Sequence, residues 1–423
     1  MSFQQGLSGL NVTSKSLEVI GNNVANANTY GAKASRAEFA DMYANALNGA
    51  GVNNIGIGVR LAAVSQQFTQ GGITSTENPM DVAINGGGFF QLTDGVNPVT
   101  YSRNGQFKVD KEGYIVNNEK LQLMGYQADG NGVIQPGLAV PLRLPTAGIS
   151  PAETNKVNLE FNLDSREGVR DPGATVSPRI DFTDADTYNK ATSVTVFDQK
   201  GQPVALTYYF QKTDTDKWNV YATANGKTIG GVDGDPQPIS GTDALSFTTD
   251  GATISPSSLT VDIPASTNVN GAVTLPISGV EIDLSGSTQY GTNFATTNVA
   301  QDGYAPGSLT SIVIEGTGIV MARYSNGQSK PAGQVELASF RNPQGLQPMG
   351  GNGWQRTYAS GDPVVGTPGV GNMGDLQSGA LEESNVDLTG ELVNMITAQR
   401  NYQANAQTIK TMDQVMQTLV NLR

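Results

Sequence analysis

The chain has 423 residues, a net charge of −13, and neither cysteine nor histidine. Disulfides, thiolate nucleophiles, zinc sites of the usual kinds and imidazole acid–base chemistry are thereby excluded, and the negative charge argues against nucleic acid or an anionic membrane as a partner. Hydrophobic residues make up 38% and charged residues 15%, with 51 glycines, a composition suited to several small β cores rather than one large one.

The opening MSFQQGLSGL lacks a basic region followed by an apolar core, so no cleavable secretory signal is expected there. No apolar run approaches the ~18 residues needed to cross a bilayer, so no membrane insertion is expected. Phe3, Leu10, Leu17 and Val24 recur at intervals of seven, and Leu7, Ile20 and Ala27 fill the same face, which predicts a helix within residues 1–30. The same segment contains Gly21, Asn22, Asn23, Asn26 and Asn28, poor helix formers that cost up to ~1 kcal/mol each relative to alanine. A short helix so composed is expected to fold only when packed against partners. Residues 31–70 read as a connecting segment.

From 71 onward the signals are strands and tight turns. Asn-Gly or Asp-Gly pairs begin at Asn85, Asp94, Asn104, Asp129, Asn131, Asn225, Asp233, Asp250, Asn270, Asp302 and Asn326, supplying the positive φ angles of hairpins. SVTVFDQKGQPVALTYYFQKTDTDKWNVYA and SIVIEGTGIVMARYSNGQSKPAGQVELASF each read as a three-strand meander. Proline, serine and threonine density rises near 145 and again before 300. The reading therefore makes 71–145 and 300–365 two parts of one β domain, with 146–299 inserted between them. Two stretches invite catalytic readings and fail them. NGGGFF at Asn85 runs into a strand rather than a helix, so it is a tight turn and not a phosphate cradle. Asp181, Asp184 and Asp186 lack the glycine and closing glutamate of a calcium loop, which leaves a solvated turn. No metal, cofactor or enzymatic chemistry is expected.

Residues 366–384 read as a second connecting segment, and 385–423 as a C-terminal helix. Leu388, Met395, Tyr402, Ile409 and Met416 recur at sevens, widened by Leu392, Met412, Leu419 and Val420. The two terminal patterns predict a coiled-coil-like helix pair. The other face of the C-terminal helix is poor in charge and rich in amides, including Gln399, Gln403, Asn405, Gln407 and Gln414. Amides enter a wet interface without the several kcal/mol cost of desolvating an ion. The fold expected is multidomain α+β: terminal helices forming the pair, with mostly antiparallel, barrel- or sandwich-like β domains between them. The expected assembly interface comprises Phe3, Leu7, Leu10, Leu17, Ile20 and Val24 from the first helix. From the second it takes Leu388, Leu392, Met395, Gln399, Tyr402, Gln403, Asn405, Ile409 and Met416.

Longer motifs carry a resemblance. LSGLNVTSKSLEVIGNNVANANTYGAKASRAEF, with Asn22, Asn23, Ala25, Asn26 and Thr29 at its core, and SGALEESNVDLTGELVNMITAQRNYQANAQTIKTMDQVMQTLVNL resemble the terminal signatures of the flagellar rod/hook axial protein family. MDVAINGGGFFQL with YSRNGQFKVDKEGYIVN is similar to the β domain shared by the distal rod and the hook. TQYGTNF, QDGYAPGSL, YSNGQ and LASFRNPQGLQPMGGNGW are similar to its hook members. One departure is Ala32, where the family usually places an aromatic after Gly31.

The resemblance implies a subunit that polymerises into the curved, hollow, flexible joint passing motor torque from rod to filament. The terminal helices (1–30 and 385–423) would line the inner tube, with 71–145 and 300–365 as the inner β domain and 146–299 as the outer one. It also implies as partners the chain itself, the distal rod protein, the hook cap, the hook–filament junction protein and the flagellar type III export apparatus. Its place would be the bacterial flagellum, outside the cell after export. A distal rod or other axial protein is the nearest alternative, and a secreted β-rich adhesin or hydrolase the remote one.

Overall fold

The computed structural model of the chain describes residues 2–42, 56–173, 177–232, 234–241 and 244–421. The Asp233 turn and the side chain of Leu419, both used above, lie outside the described residues. Helix α1 spans Ser2–Ala25 and helix α2 spans Leu388–Asn421. Antiparallel pairing dominates the strands between them. The chain divides into two compact units, residues 1–146 with 310–323 and 329–423, and residues 147–309 with 324–328. The sequence reading puts junctions near 145 and 300, whereas the second unit runs on to 309 and takes in 324–328.

In the first unit, the segment read as a connector from 31 to 70 holds a hairpin. Strand β1 (Ser35–Met42) pairs antiparallel with β2 (Gly58–Gln66), with a bulge between Glu38 and Phe39. The hairpin lies against α1, where Gln5 Nε2 donates to the Gly56 carbonyl at 2.7 Å and the Val59 amide donates to Ser8 Oγ at 3.4 Å. Beyond it, strands 309–314, 319–324, 329–335, 122–127, 89–93, 100–102, 353–355 and 347–350 follow one another across a single sheet. The meander read at Ser311–Phe340 supplies three of them. Phe89, Tyr101, Phe340 and Trp354 close that sheet's core in edge-to-face contacts, with Phe68 between Phe89 and Trp354. The segment 366–384 is ordered by Asp375–Ser378, paired with Val82–Asn85, and by Ala380–Glu382, paired with Ile73–Ser75. NGGGFF is a turn: Gly86 and Gly88 have φ of 120° and 112°, and the chain passes into the strand Phe89–Thr93.

The second unit packs two sheets around one apolar core. The predicted meander is present as Lys190–Phe197, Pro203–Asp214 and Lys217–Ala224, all antiparallel. Along Pro203–Asp214 every second side chain, Val204, Leu206, Tyr208 and Phe210, turns inward, as the period of a half-buried strand requires. Val157, Leu159, Phe161 and Leu163 do the same from the facing sheet, and Trp218 is fully buried among them. The facing sheet is mixed, because Lys156–Asp164 runs parallel to Ile277–Asp283 and antiparallel to Ala295–Gln301. The Asp181 turn is closed by its own hydrogen bonds from Thr183, and Asp186 pairs with Arg170.

Candidate assembly interface

Helices α1 and α2 run antiparallel, with Gly6 facing Ile409, Gly9 facing Asn405, and Asn23 reaching Glu391. The Gly- and Asn-rich helix therefore finds its packing partner within the same chain. The seam differs from the one read in the sequence. On α1 the most buried positions are Gly6, Thr13, Ile20 and Asn23. Leu10, Leu17 and Val24 are half-buried along its edge, while Phe3 and Leu7 are 51% and 45% exposed. The reason is close approach. A Cβ on Gly9 would lie 2.9 Å from Asn405 Nδ2, and one on Gly6 would lie 3.1 Å from Ile409 Cγ1. Small residues let the two backbones come together, and larger apolar side chains are displaced sideways.

On α2 the seam runs through Met395, Ala398, Asn405, Ile409 and Met412, and with the marginal Tyr402 included the spacing alternates by three and four. Asn405 thus leaves the outward amide face on which the sequence reading put it and seats on Gly9. Leu388, Leu392 and Met416 are exposed. Leu392 and Ile396 share the side away from α1 with Gln399, Gln403, Gln407 and Gln414, all exposed. Met416 and Val420 continue the seam line and are exposed. Helix α2 opens on Asp387, whose carboxylate accepts the Thr389 amide at 3.1 Å, with Glu391 in the first turn.

Asn23 of α1 holds the hairpin. Asn23, 2% exposed, accepts the Ser35 amide at 2.8 Å and donates to the Ser35 carbonyl at 2.7 Å. The same Nδ2 lies 3.4 Å from Glu391 Oε1. A helix-forming residue there would break the joint between α1, β1 and α2. Asn23→Ala is expected to cost about 1–3 kcal/mol, because it strands both partly buried backbone groups of Ser35. The check is faster amide exchange across Ser35–Met42, with the second unit unchanged. Among the described residues nothing accounts for Gly21, whose missing Cβ would meet no atom within 4 Å.

Below the helices lies a buried ionic cluster that the sequence reading misses. Lys33 Nζ sits 2.6 Å from Glu382 Oε1, and Arg103 Nη1 sits 3.1 Å from Glu382 Oε2. The Lys33 and Glu382 side chains are fully buried and Arg103 nearly so. Lys33 also donates to the Thr69 carbonyl, Arg103 to the Gly86 carbonyl, and the Gly71 amide to Glu382 Oε1. Burial pushes Lys33 below its ordinary value, while Glu382 pulls it back up. Arg103 is lowered for the same reason and opposed by the same partner. Asn385 adds a second tie, accepting the Ala34 amide at 2.7 Å and donating to the Gln67 carbonyl at 2.7 Å. Gly31, with φ of 72°, lets the chain lie directly on Arg103 and Asn104, where a Cβ would come within 2.6 Å of the Asn104 nitrogen. The segments entering and leaving the helix pair are thereby clamped to the β core at one point.

The signal for the seam was present, since Gly6, Thr13 and Ile20 also recur at sevens, as do Gly9, Ser16 and Asn23. Apart from Ile20, which the hydrophobic count includes, these residues are small or polar, and such a count does not register them.

Comparison with known proteins follows the same layout. The family model described as "Flagella basal body rod protein" matches residues 3–33, and "Flagellar basal body rod FlgEFG protein C-terminal" matches 377–422. Between them, "Flagellar hook protein FlgE/F/G D1 domain" matches 83–202 and "Flagellar basal body protein FlaE D2 domain" matches 162–304. The chain is 43% identical to the flagellar hook protein FlgE of Salmonella typhimurium (strain LT2) over 425 residues, covering 100% of both. It is 43% identical to that of Escherichia coli (strain K12) over 432 residues, again with both fully covered. It is 33% identical to that of Rhizobium meliloti (strain 1021) over 436 residues, covering 100% of this chain and 98% of that one.

Proposed function

The chain belongs to the flagellar hook protein family, and from that premise we propose that it is the subunit that polymerises into the hook, the hollow flexible joint between rod and filament. The observation that carries the reading is the apolar surface left on both terminal helices of a folded chain. Phe3 and Leu7 on α1, and Leu392, Ile396, Met416 and Val420 on α2, are all exposed. Several such side chains on two adjoining helices suit burial against further copies of the same helices. The amide row Gln399, Gln403, Gln407 and Gln414 supports sliding contacts. An amide hydrogen bond nets only about 0.5–1.5 kcal/mol and water can bridge it, so partners exchange as the joint bends. Electron microscopy of the concentrated protein tests the reading: helical tubes with a lumen are the expected result, and a persistent monomer or amorphous aggregate would refute it.

In this reading the subunit passes through the flagellar type III export apparatus without a cleaved signal and adds outside the cell beneath the hook cap. It then stands between the distal rod protein and the hook–filament junction protein. The second unit, 147–309 with 324–328, has its own core and bears none of the terminal helices. Its role is to tune curvature rather than to hold the tube. Replacing residues 147–309 with a short Gly/Ser linker is expected to leave tubes that form but are straighter or differently flexible in micrographs. Loss of all assembly from a correctly folded remainder would overturn that division of labour.

A further inference from the structure

Among the described residues, seven Asn-Gly pairs occur, and the fold treats their side chains unequally. Asn225 accepts the Ala205 amide and donates to Ser266 Oγ, both at 2.9 Å. Asn326 donates to the Ala305 carbonyl at 2.6 Å and accepts the Gln328 amide at 3.1 Å. Asn104, Asn352 and, more weakly, Asn85 are also engaged through their side chains. Asn131 and Asn270 are exposed, and only their backbone amides take part in the turn, donating to Asp129 Oδ1 and Asn268 Oδ1.

We propose that Asn270, and more slowly Asn131, are sites of spontaneous deamidation. The Gly271 amide nitrogen attacks the Asn270 side-chain carbon Cγ and closes a succinimide ring. The Cγ–Nδ2 bond breaks, and ammonia leaves carrying the proton given up by the Gly271 amide. Water then opens the ring at either carbonyl, leaving an aspartyl or isoaspartyl residue and one added negative charge. The reaction needs a side chain free to swing onto the following nitrogen and a glycine that does not crowd it. At Asn270 the side chain makes no hydrogen bond among the described residues, and a Cβ at Gly271 would meet nothing within 4 Å. The Gly271 amide donates to the Asn268 carbonyl at 2.9 Å, a turn bond that must open before attack and that Gly132 and Gly327 also make to Asp129 and Tyr324. At Asn131 the carboxylate of Asp129 caps the same turn, accepting the Asn131 and Val133 amides at 2.9 Å. A negative charge there disfavours deprotonation of the attacking Gly132 amide. The equivalent residue beside Asn270 is the neutral Asn268.

The test is peptide mapping by mass spectrometry of the full chain held at mildly alkaline pH, with a parallel sample unfolded in guanidinium. In the folded chain, acid should accumulate at Asn270 ~10-fold or more faster than at Asn225 or Asn326, whose paired hydrogen bonds must first break. In guanidinium the three rates should converge. Asn270→Ser should remove its own signal and leave the other two unchanged. An intact Asn270 while Asn225 or Asn326 converts, equal rates in the fold, or the same ranking after unfolding would each overturn the proposal.

Discussion

Replacing Glu382 with glutamine is expected to destabilise the first unit by ~3–5 kcal/mol, the cost of breaking a buried ion pair by removing one partner. The cluster holds one anion between two cations, so its members are not equivalent. Losing Glu382 leaves Lys33 and Arg103 facing each other without a counter-charge, in a pocket where Lys33 is already fully desolvated. Losing Lys33 instead leaves a neutral Arg103–Glu382 pair, so Lys33→Met should cost far less and sits close to neutral. The sign of the Lys33 shift agrees. Its folded value is lowered from 10.5 by burial, so the unfolded chain binds the extra proton more readily than the fold does. Stability should therefore rise with pH through the window between the lowered value and 10.5, and Lys33→Met should abolish that rise. Denaturant titrations of Glu382→Gln, Lys33→Met and the double variant decide the matter. A Glu382→Gln loss no larger than that of Lys33→Met would show that the two cations reach solvent when their partner is gone.

The consequence reaches the helices. Lys33 follows α1 and Glu382 precedes α2, and the Gly31 amide also donates to the Glu382 carbonyl at 2.8 Å. With the cluster broken, the two helices should remain paired through Gly6, Gly9 and Ile20 but lose their fixed bearing on the β core. Glu382→Gln should therefore impair polymerisation even at temperatures where the chain stays folded.

The sequence disclosed some of this and hid the rest for definite reasons. The meander at 190–224 is legible because Val, Thr, Tyr and Phe alternate with polar residues between turn pairs, the pattern of a half-buried strand. Both terminal helices are legible from their sevenfold recurrence. Hydrophobic size, standing in for burial, puts the α1 seam on Phe3, Leu7, Leu10, Leu17, Ile20 and Val24; Ile20 is buried there, and the substitution fails at the others, where two backbones approach through glycine. On α2 the same count finds Met395, Ile409 and Met412, with Tyr402 at the margin, but passes over Ala398 and Asn405, one small and one polar. The ionic cluster could not be read at all. Lys33, Arg103 and Glu382 lie far apart along the chain, and nothing about a single lysine, arginine or glutamate marks it as buried until the fold brings the three together.

Charging the outer side of α2 is expected to abolish assembly while sparing the monomer. Leu392 and Ile396 are 44% and 51% exposed, so Leu392→Asp and Ile396→Asp together should change monomer stability by no more than about 0.5 kcal/mol per site. In a tube where these side chains meet a neighbouring copy, each aspartate becomes a buried charge without a partner and costs several kcal/mol. That cost recurs at every subunit, so the critical concentration for polymerisation should rise beyond reach. The contrasting substitution is Ile20→Asp, at a position 9% exposed inside the seam. It should unfold the helix pair first and lose assembly only as a result. Thermal unfolding and sedimentation of the two variants separate these cases: a normal melt without polymer for the outer pair, and a lowered melt for Ile20→Asp. Normal tubes from the outer pair would mean that this apolar face meets water in the polymer, and the lateral contact would have to be sought on Phe3 and Leu7 of α1 instead.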